Sequence, residues 1–162
     1  MMGPNKRSNQ REIRFPTAGK VREIGVVQQG EYPFPVERFQ EWGNGITIET
    51  FTYIKGKRAG DTGSSVLYDS DLGLFKNPRS KHIRPFVEKA FDILIDASDG
   101  SHPALNYICT HSKALFKVSA LYRDSRADLI IGLTPDRMDL LPSELKKIIT
   151  NLKSNDPYAE PV

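Results

Sequence analysis

Residues 79–97 read Arg-Ser-Lys-His-Ile-Arg-Pro-Phe-Val-Glu-Lys-Ala-Phe-Asp-Ile-Leu-Ile-Asp-Ala, and the fold turns on how this stretch is read. Ile83, Phe86, Val87, Ala90, Phe91, Leu94 and Ala97 recur at i, i+3 and i+4, the spacing that gathers side chains on one stripe of a helix. Ser80 can accept the first free backbone N–H groups, Pro85 falls early enough to be tolerated, and Asp99-Gly100 offers a stop. The pattern predicts a core helix over 81–97. A second amphipathic helix is expected over 143–153, where Leu145, Ile148, Ile149 and Leu152 share a face.

Outward from these helices, the shorter apolar runs read as strands. Val21–Gln29 is rich in β-branched residues, and Ile46–Ile54 (ITIETFTYI) is the clearest strand in the chain. A polar, glycine-rich stretch, 55–65, separates it from Val66-Leu67-Tyr68, so 46–69 is expected to form an antiparallel hairpin with a long tip. Tyr32-Pro33-Phe34-Pro35 cannot lie in a central strand, because proline donates no ladder hydrogen bond and restrains the residue before it. Val36–Trp42 after it can make two helical turns ended by Gly43. Pro103 can open a short helix over 104–112, with a strand following over 114–122, although one continuous helix over 103–122 also fits. Asp128–Leu133 has the composition of a short buried strand. The resulting expectation is one α+β domain at 21–153, with a mostly antiparallel sheet of about five strands packed by two longer helices. Residues 1–20 are expected to be a disordered basic tail and 154–162 a frayed end.

Composition bounds the possible functions. A chain of 162 residues with 38% hydrophobic content can bury one core, and no apolar run is long enough to span a bilayer. Cys109 is the only cysteine, which rules out an internal disulfide and an all-cysteine zinc site within one chain. No secretory leader is evident, so an intracellular, cytoplasmic location is expected, with peripheral membrane contact as an option. No cofactor is implied. The net charge of +3 conceals an asymmetry: residues 1–22 carry six basic side chains against Glu12, leaving the remainder slightly acidic. A basic arm of this kind points to an anionic partner, such as nucleic acid or lipid head groups. The candidate anion-binding residues are Lys6, Arg7, Arg11, Arg14, Lys20 and Arg22, joined by Lys55, Lys57 and Arg58 on the hairpin tip.

Chemistry-bearing motifs are sparse. Gly56–Ser65 has glycines and a lysine, but its lysine precedes the glycine cluster and a strand follows, which is not the order of a phosphate-binding loop. Asp96, Asp99 and His102 make a loose cluster of two carboxylates and an imidazole, while His82 and His111 have no recognisable ligand or triad partners. Cys109 and His111 could pair a thiol with a base only on a strand.

Two resemblances add functional expectations. Asp61-Thr62-Gly63-Ser64-Ser65 resembles the active-site motif of aspartic proteases, and Leu129-Ile130-Ile131-Gly132 is similar to the apolar segment that backs the aspartate in the dimeric retroviral type. That resemblance implies a homodimeric hydrolase with Asp61 as catalyst and an essentially all-β fold. Phe15-Pro16-Thr17-Ala18-Gly19 and Phe34-Pro35-Val36 are similar to short peptides by which viral structural proteins recruit host sorting machinery. With the basic arm, they give a layout that resembles some negative-strand virus matrix proteins, which implies binding to anionic lipid and to RNA-bearing nucleocapsid in a virion. The leading expectation is therefore a non-enzymatic binding or assembly protein that engages an anionic surface. The hydrolase, and a partner-specific regulator or inhibitor working through the acidic body, are the alternatives, with a protein partner or self-association as a further option.

Overall fold

The computed structural model describes residues 12–30, 34–43, 45–55, 66–68, 83–121 and 126–154. Six strands form one sheet: β1 (Glu23–Gln29), β2 (Thr47–Ile54), β3 (Val66–Tyr68), β4 (Ile93–Asp96), β5 (Lys117–Leu121) and β6 (Leu129–Leu133). Their spatial order is β3-β2-β1-β4-β5-β6, and every neighbouring pair is parallel. The fold is therefore a doubly wound α/β sheet. This overturns the expected mostly antiparallel sheet of about five strands. The hairpin over 46–69 does not form either, because Thr52 pairs with Val66, Tyr53 with Leu67 and Ile54 with Tyr68 in the same direction.

The stretch 79–97 is the root of the difference. Within it, α1 covers only Arg84–Glu88; Lys89 then turns extended, and Ile93–Asp96 become β4 in the middle of the sheet. All four residues of β4 are buried, so period-two alternation of apolar and polar residues is missing. Ile93 and Ile95 face one core cluster and Leu94 the other. Asp92 ends any helical path: its carboxylate Oδ2 accepts the backbone N–H groups of Arg22 and Glu23, each at 2.9 Å, and ties the start of β4 to the start of β1.

Constant crossover handedness explains how the two faces are covered. Stepping from β1 to β2 and from β3 to β4 moves in opposite directions along the sheet, so right-handed connections fall on opposite faces. One face carries the 3-10 helix Val36–Trp42 and the C-terminal helix α3 (Leu141–Ser154), packed over Ile24, Val26, Ile95 and Val118. The other carries α1 and α2 (Pro103–His111), packed over Val27, Phe51 and Leu94. Trp42 is buried and its indole N–H donates to the Pro142 carbonyl at 2.9 Å, locking the 3-10 helix to α3.

The segment 12–20, expected to belong to an unstructured tail, lies against the fold. The Arg14 N–H donates to the Leu115 carbonyl at 2.9 Å, and the Phe15 ring meets Phe116 edge-on at 5.3 Å. A contact with Phe116, itself part of the core, supplies the apolar burial that the segment lacks on its own.

Gly25 in β1 marks where the α1 side of the sheet is tightest. A β-carbon there would stand 2.8 Å from the Cδ2 and Cε2 atoms of Phe91 and 3.0 Å from Leu94 Cδ1. Phe91 is fully buried, so any shift of its ring must be taken up by the surrounding core. Gly25→Ala is expected to destabilise the fold by about 1–3 kcal/mol through overpacking, read as a lowered midpoint in chemical denaturation. An unchanged or raised midpoint would show that the Phe91 ring can move aside.

Candidate functional site

Between β1 and β4 the strand order reverses. After β1 the chain leaves toward the α3 face, and after β4 toward the α2 face, so the connections part at the carboxyl ends of these strands, where doubly wound sheets hold their ligand crevice. Side chains and loop residues at those ends form one hydrogen-bonded group. Asp96, the last residue of β4, is buried, and its Oδ1 accepts both the N–H (3.0 Å) and the hydroxyl (2.6 Å) of the fully buried Ser98. Asp99 repeats the arrangement one step further out, accepting the N–H (2.8 Å) and hydroxyl (2.5 Å) of Ser101.

The loop is anchored from both sides. Gln29, the buried last residue of β1, accepts the Asp99 N–H through Oε1 at 2.9 Å. Gly100, at φ 84, turns the chain into α2, and Asn106 of that helix donates from Nδ2 to the Gly100 carbonyl at 2.8 Å. His102 precedes the helix and makes no side-chain cap; its ring lies 4.1 Å from that of Tyr53, near the end of β2. The Ser101 hydroxyl holds the Asp99 carboxyl below the ordinary aspartate value, with help from the Ser101 N–H, Gln29 and the nearby His102 imidazole.

The arrangement presents carboxylate and imidazole edges to solvent and keeps the backbone donors of Ser98 and Ser101 occupied by the loop's own carboxylates. A phosphate cradle needs the opposite, free N–H groups aimed outward. The sequence that follows β1, Gln29-Gly30-Glu31-Tyr32-Pro33-Phe34-Pro35, also lacks the glycine fingerprint of dinucleotide-binding sheets. Among the described residues, no group of three or more His, Cys, Asp or Glu could hold a metal ion.

An open recess of about 690 Å³ lies elsewhere, lined by Val36, Phe39, Gly45, Ile46 and Ile48 with Glu37 and Gln40 as its polar side chains. Ile48 pairs with Ile24 near the start of β1, so this recess belongs to the opposite end of the strands. It holds volume but no pair of titratable groups, whereas the β1–β4 end concentrates them.

Among the described residues, the basic side chains singled out in the sequence lie at two ends of the sheet. Arg14 is ion-paired to Glu12 at 2.7 Å, and the Arg22 guanidinium donates to the Gly19 and Val21 carbonyls at 3.2 and 3.0 Å. Lys20 is exposed beside them at the amino edge of the sheet. Lys55 is exposed just past the carboxyl end of β2. Eight residues of β2, at about 3.3 Å each, separate it by ~26 Å from the edge where Arg22 lies. Lys6, Arg7, Arg11, Lys57, Arg58 and Asp61 lie outside the described residues, as does His82. Leu129–Gly132 is part of β6 in a parallel sheet covered by helices, so the all-β fold implied by the protease resemblance is not the one observed. Cys109 and His111 both sit on α2, where positions two apart point to different sides of the helix; the His111 ring lies 4.2 Å from that of Tyr107.

The model of one protein family matches residues 4–152 of the chain. The chain belongs to that family of unknown function, DUF6913. The match takes in all six strands and reaches into α3, and it also includes Lys6, Arg7 and Arg11 of the basic arm. No curated protein matches the chain. No described helix is long and apolar enough to cross a membrane.

The Asp99 arrangement has a pH signature. A carboxyl whose folded pKa is depressed contributes stability that is present above its unfolded pKa and is lost as pH falls through the folded value. Stability is therefore expected to decline on acidification below the ordinary aspartate value of 3.8. Asp99→Asn should flatten that part of a urea-midpoint-versus-pH profile; an unaltered slope would place the acid sensitivity in other carboxylates. Asp96→Ala should cost about 2 kcal/mol or more at neutral pH, because it leaves the buried Ser98 N–H and hydroxyl without an acceptor.

Proposed function

We propose that this chain is a small-molecule-binding domain whose ligand sits at the carboxyl edge between β1 and β4. The observation that carries the reading is the coincidence of the reversal in strand order with the hydrogen-bonded group Gln29, Asp96, Ser98, Asp99 and Ser101, with the His102 imidazole near Asp99. Ligands of doubly wound sheets bind outside the carboxyl ends of the strands at this point of reversal. The exposed Asp99 carboxylate favours a ligand that donates hydrogen bonds, such as a hydroxyl-bearing neutral molecule or an amine, over a phosphate. No catalytic step is assigned.

The reading is tested by titrating a panel of sugars, polyols, nucleosides and amines, with matched phosphate esters, into the full chain and following amide chemical shifts. Perturbations are expected at Gly30 and Ser98–His102 for members without phosphate, and Asp99→Ala should remove them while leaving the remaining spectrum in place. Shifts that cluster around Ile46 and Ile48 instead, or a response only to the phosphate esters, would defeat the proposal.

A second reading keeps the basic arm as a contact for anionic surfaces, and the six basic side chains against Glu12 in residues 1–22 favour it. Removing residues 1–11 leaves the Arg14–Leu115 hydrogen bond intact. The shortened chain should lose binding to anionic vesicles and to single-stranded RNA at low salt, and the full chain's affinity should fall steeply as salt rises. Equal binding by both chains would end this reading.

A further inference from the structure

The open recess of about 690 Å³ beside the 3-10 helix Val36–Trp42 has a physical origin in the segment that lines it. Seven residues at the ~2 Å rise of a 3-10 helix cover only about 14 Å of the sheet. The chain then turns through Gly43 and Gly45, at φ 109 and 91, and a β-carbon built on either meets no atom within 4 Å. Neither glycine brings a side chain to fill the space beside Ile46 and Ile48. Val36, Ile46 and Ile48 are half-buried and pack against the α3-side core, to which the buried Phe39 itself belongs. The recess is thus an open flank of that core, and its volume falls within the ~300–1,000 Å³ of small-molecule sites.

Glu37 gives this apolar recess a sign. It is half-buried in the wall, and no hydrogen bond or ion pair joins its carboxylate to another described residue. Glu41, four residues on, differs: its Oε2 accepts the Ser143 hydroxyl at 3.2 Å. Gln40, the other polar side chain of the lining, adds a neutral amide. An apolar molecule seated here strips water from an ionised carboxylate, which costs free energy unless the molecule supplies a cation. An anionic molecule adds repulsion to that cost.

We propose that the recess binds a small organic cation, with an apolar body packed on Val36, Phe39, Ile46 and Ile48 and a protonated amine or guanidinium paired with Glu37. Sugars, polyols and nucleosides lack that combination. The recess lies at the opposite end of the strands from Asp99, so this site is independent of the one between β1 and β4.

The test titrates three molecules that share one body, 4-phenylbutylamine, 4-phenylbutanol and 4-phenylbutyrate, into the full chain at neutral pH while amide chemical shifts are followed. The amine should bind saturably, perturbing Glu37, Gly45, Ile46 and Ile48, about tenfold more tightly than the alcohol. The carboxylate should perturb none of them. Glu37→Gln, which keeps the shape and removes the charge, should bring the amine to the alcohol's affinity and leave the alcohol's unchanged. Equal affinity of amine and alcohol, an amine indifferent to Glu37→Gln, or perturbations away from residues 36–48 would overturn the proposal. So would concentration-dependent shifts of the same amides in the chain alone, since a second copy would then cover the recess.

Discussion

The pairing of β1 with β4, from Ile24 beside Ile93 to Val27 beside Asp96, is the constraint on which the other features depend. It joins two halves of the sheet that wind in opposite directions, and it requires that both strands be apolar on both faces. Asp92 secures one end through the Arg22 and Glu23 amides, and the Ala97 N–H continues the ladder to the Val27 carbonyl at 2.8 Å at the other. Gly25 serves the same junction, since only a residue without a side chain lets Phe91 and Leu94 close over β1. Everything at the β1–β4 crevice inherits its position from this register.

Most of the apolar runs were legible as elements from the residues alone. Strand positions near 23–29, 47–54, 66–68, 117–121 and 129–133 and the helix over 141–154 follow from local composition and period. Their mutual direction was not legible, because parallel and antiparallel pairing differ in where the connections run and not in which residues form the strands. Residues 79–97 misled for a specific reason. Phe86, Val87, Phe91 and Leu94 do share one core cluster, as a helical stripe would, but Ile93 and Ile95 belong to the opposite one. A four-residue strand buried on both faces has no alternation to betray it.

The site shows a similar division. Asp96, Asp99 and His102 are close in sequence and visible as a group, yet what makes the group notable is Gln29, which reaches the Asp99 amide across 70 positions of chain, and Tyr53, which supplies the ring beside His102. Long-range placement matters for two of the basic residues as well. Arg22 and Lys55 carry like charge in the sequence, but a parallel β2 sends them to opposite edges of the sheet.

The indole of Trp42 bonded to the Pro142 carbonyl also bears on how the chain acquires its structure. Leu141, Leu145 and Ile149 share the cluster that holds Ile24, Val26, Phe39 and Trp42, so one side of the first strand is only partly covered until residues 141–149 have been synthesised. Among the described residues, the buried members of the α1 and α2 side's cluster all lie at or before Ala114. The two halves of the core therefore have different order in time on a ribosome: one can condense early from local pieces, and the other waits for contacts that span most of the polypeptide.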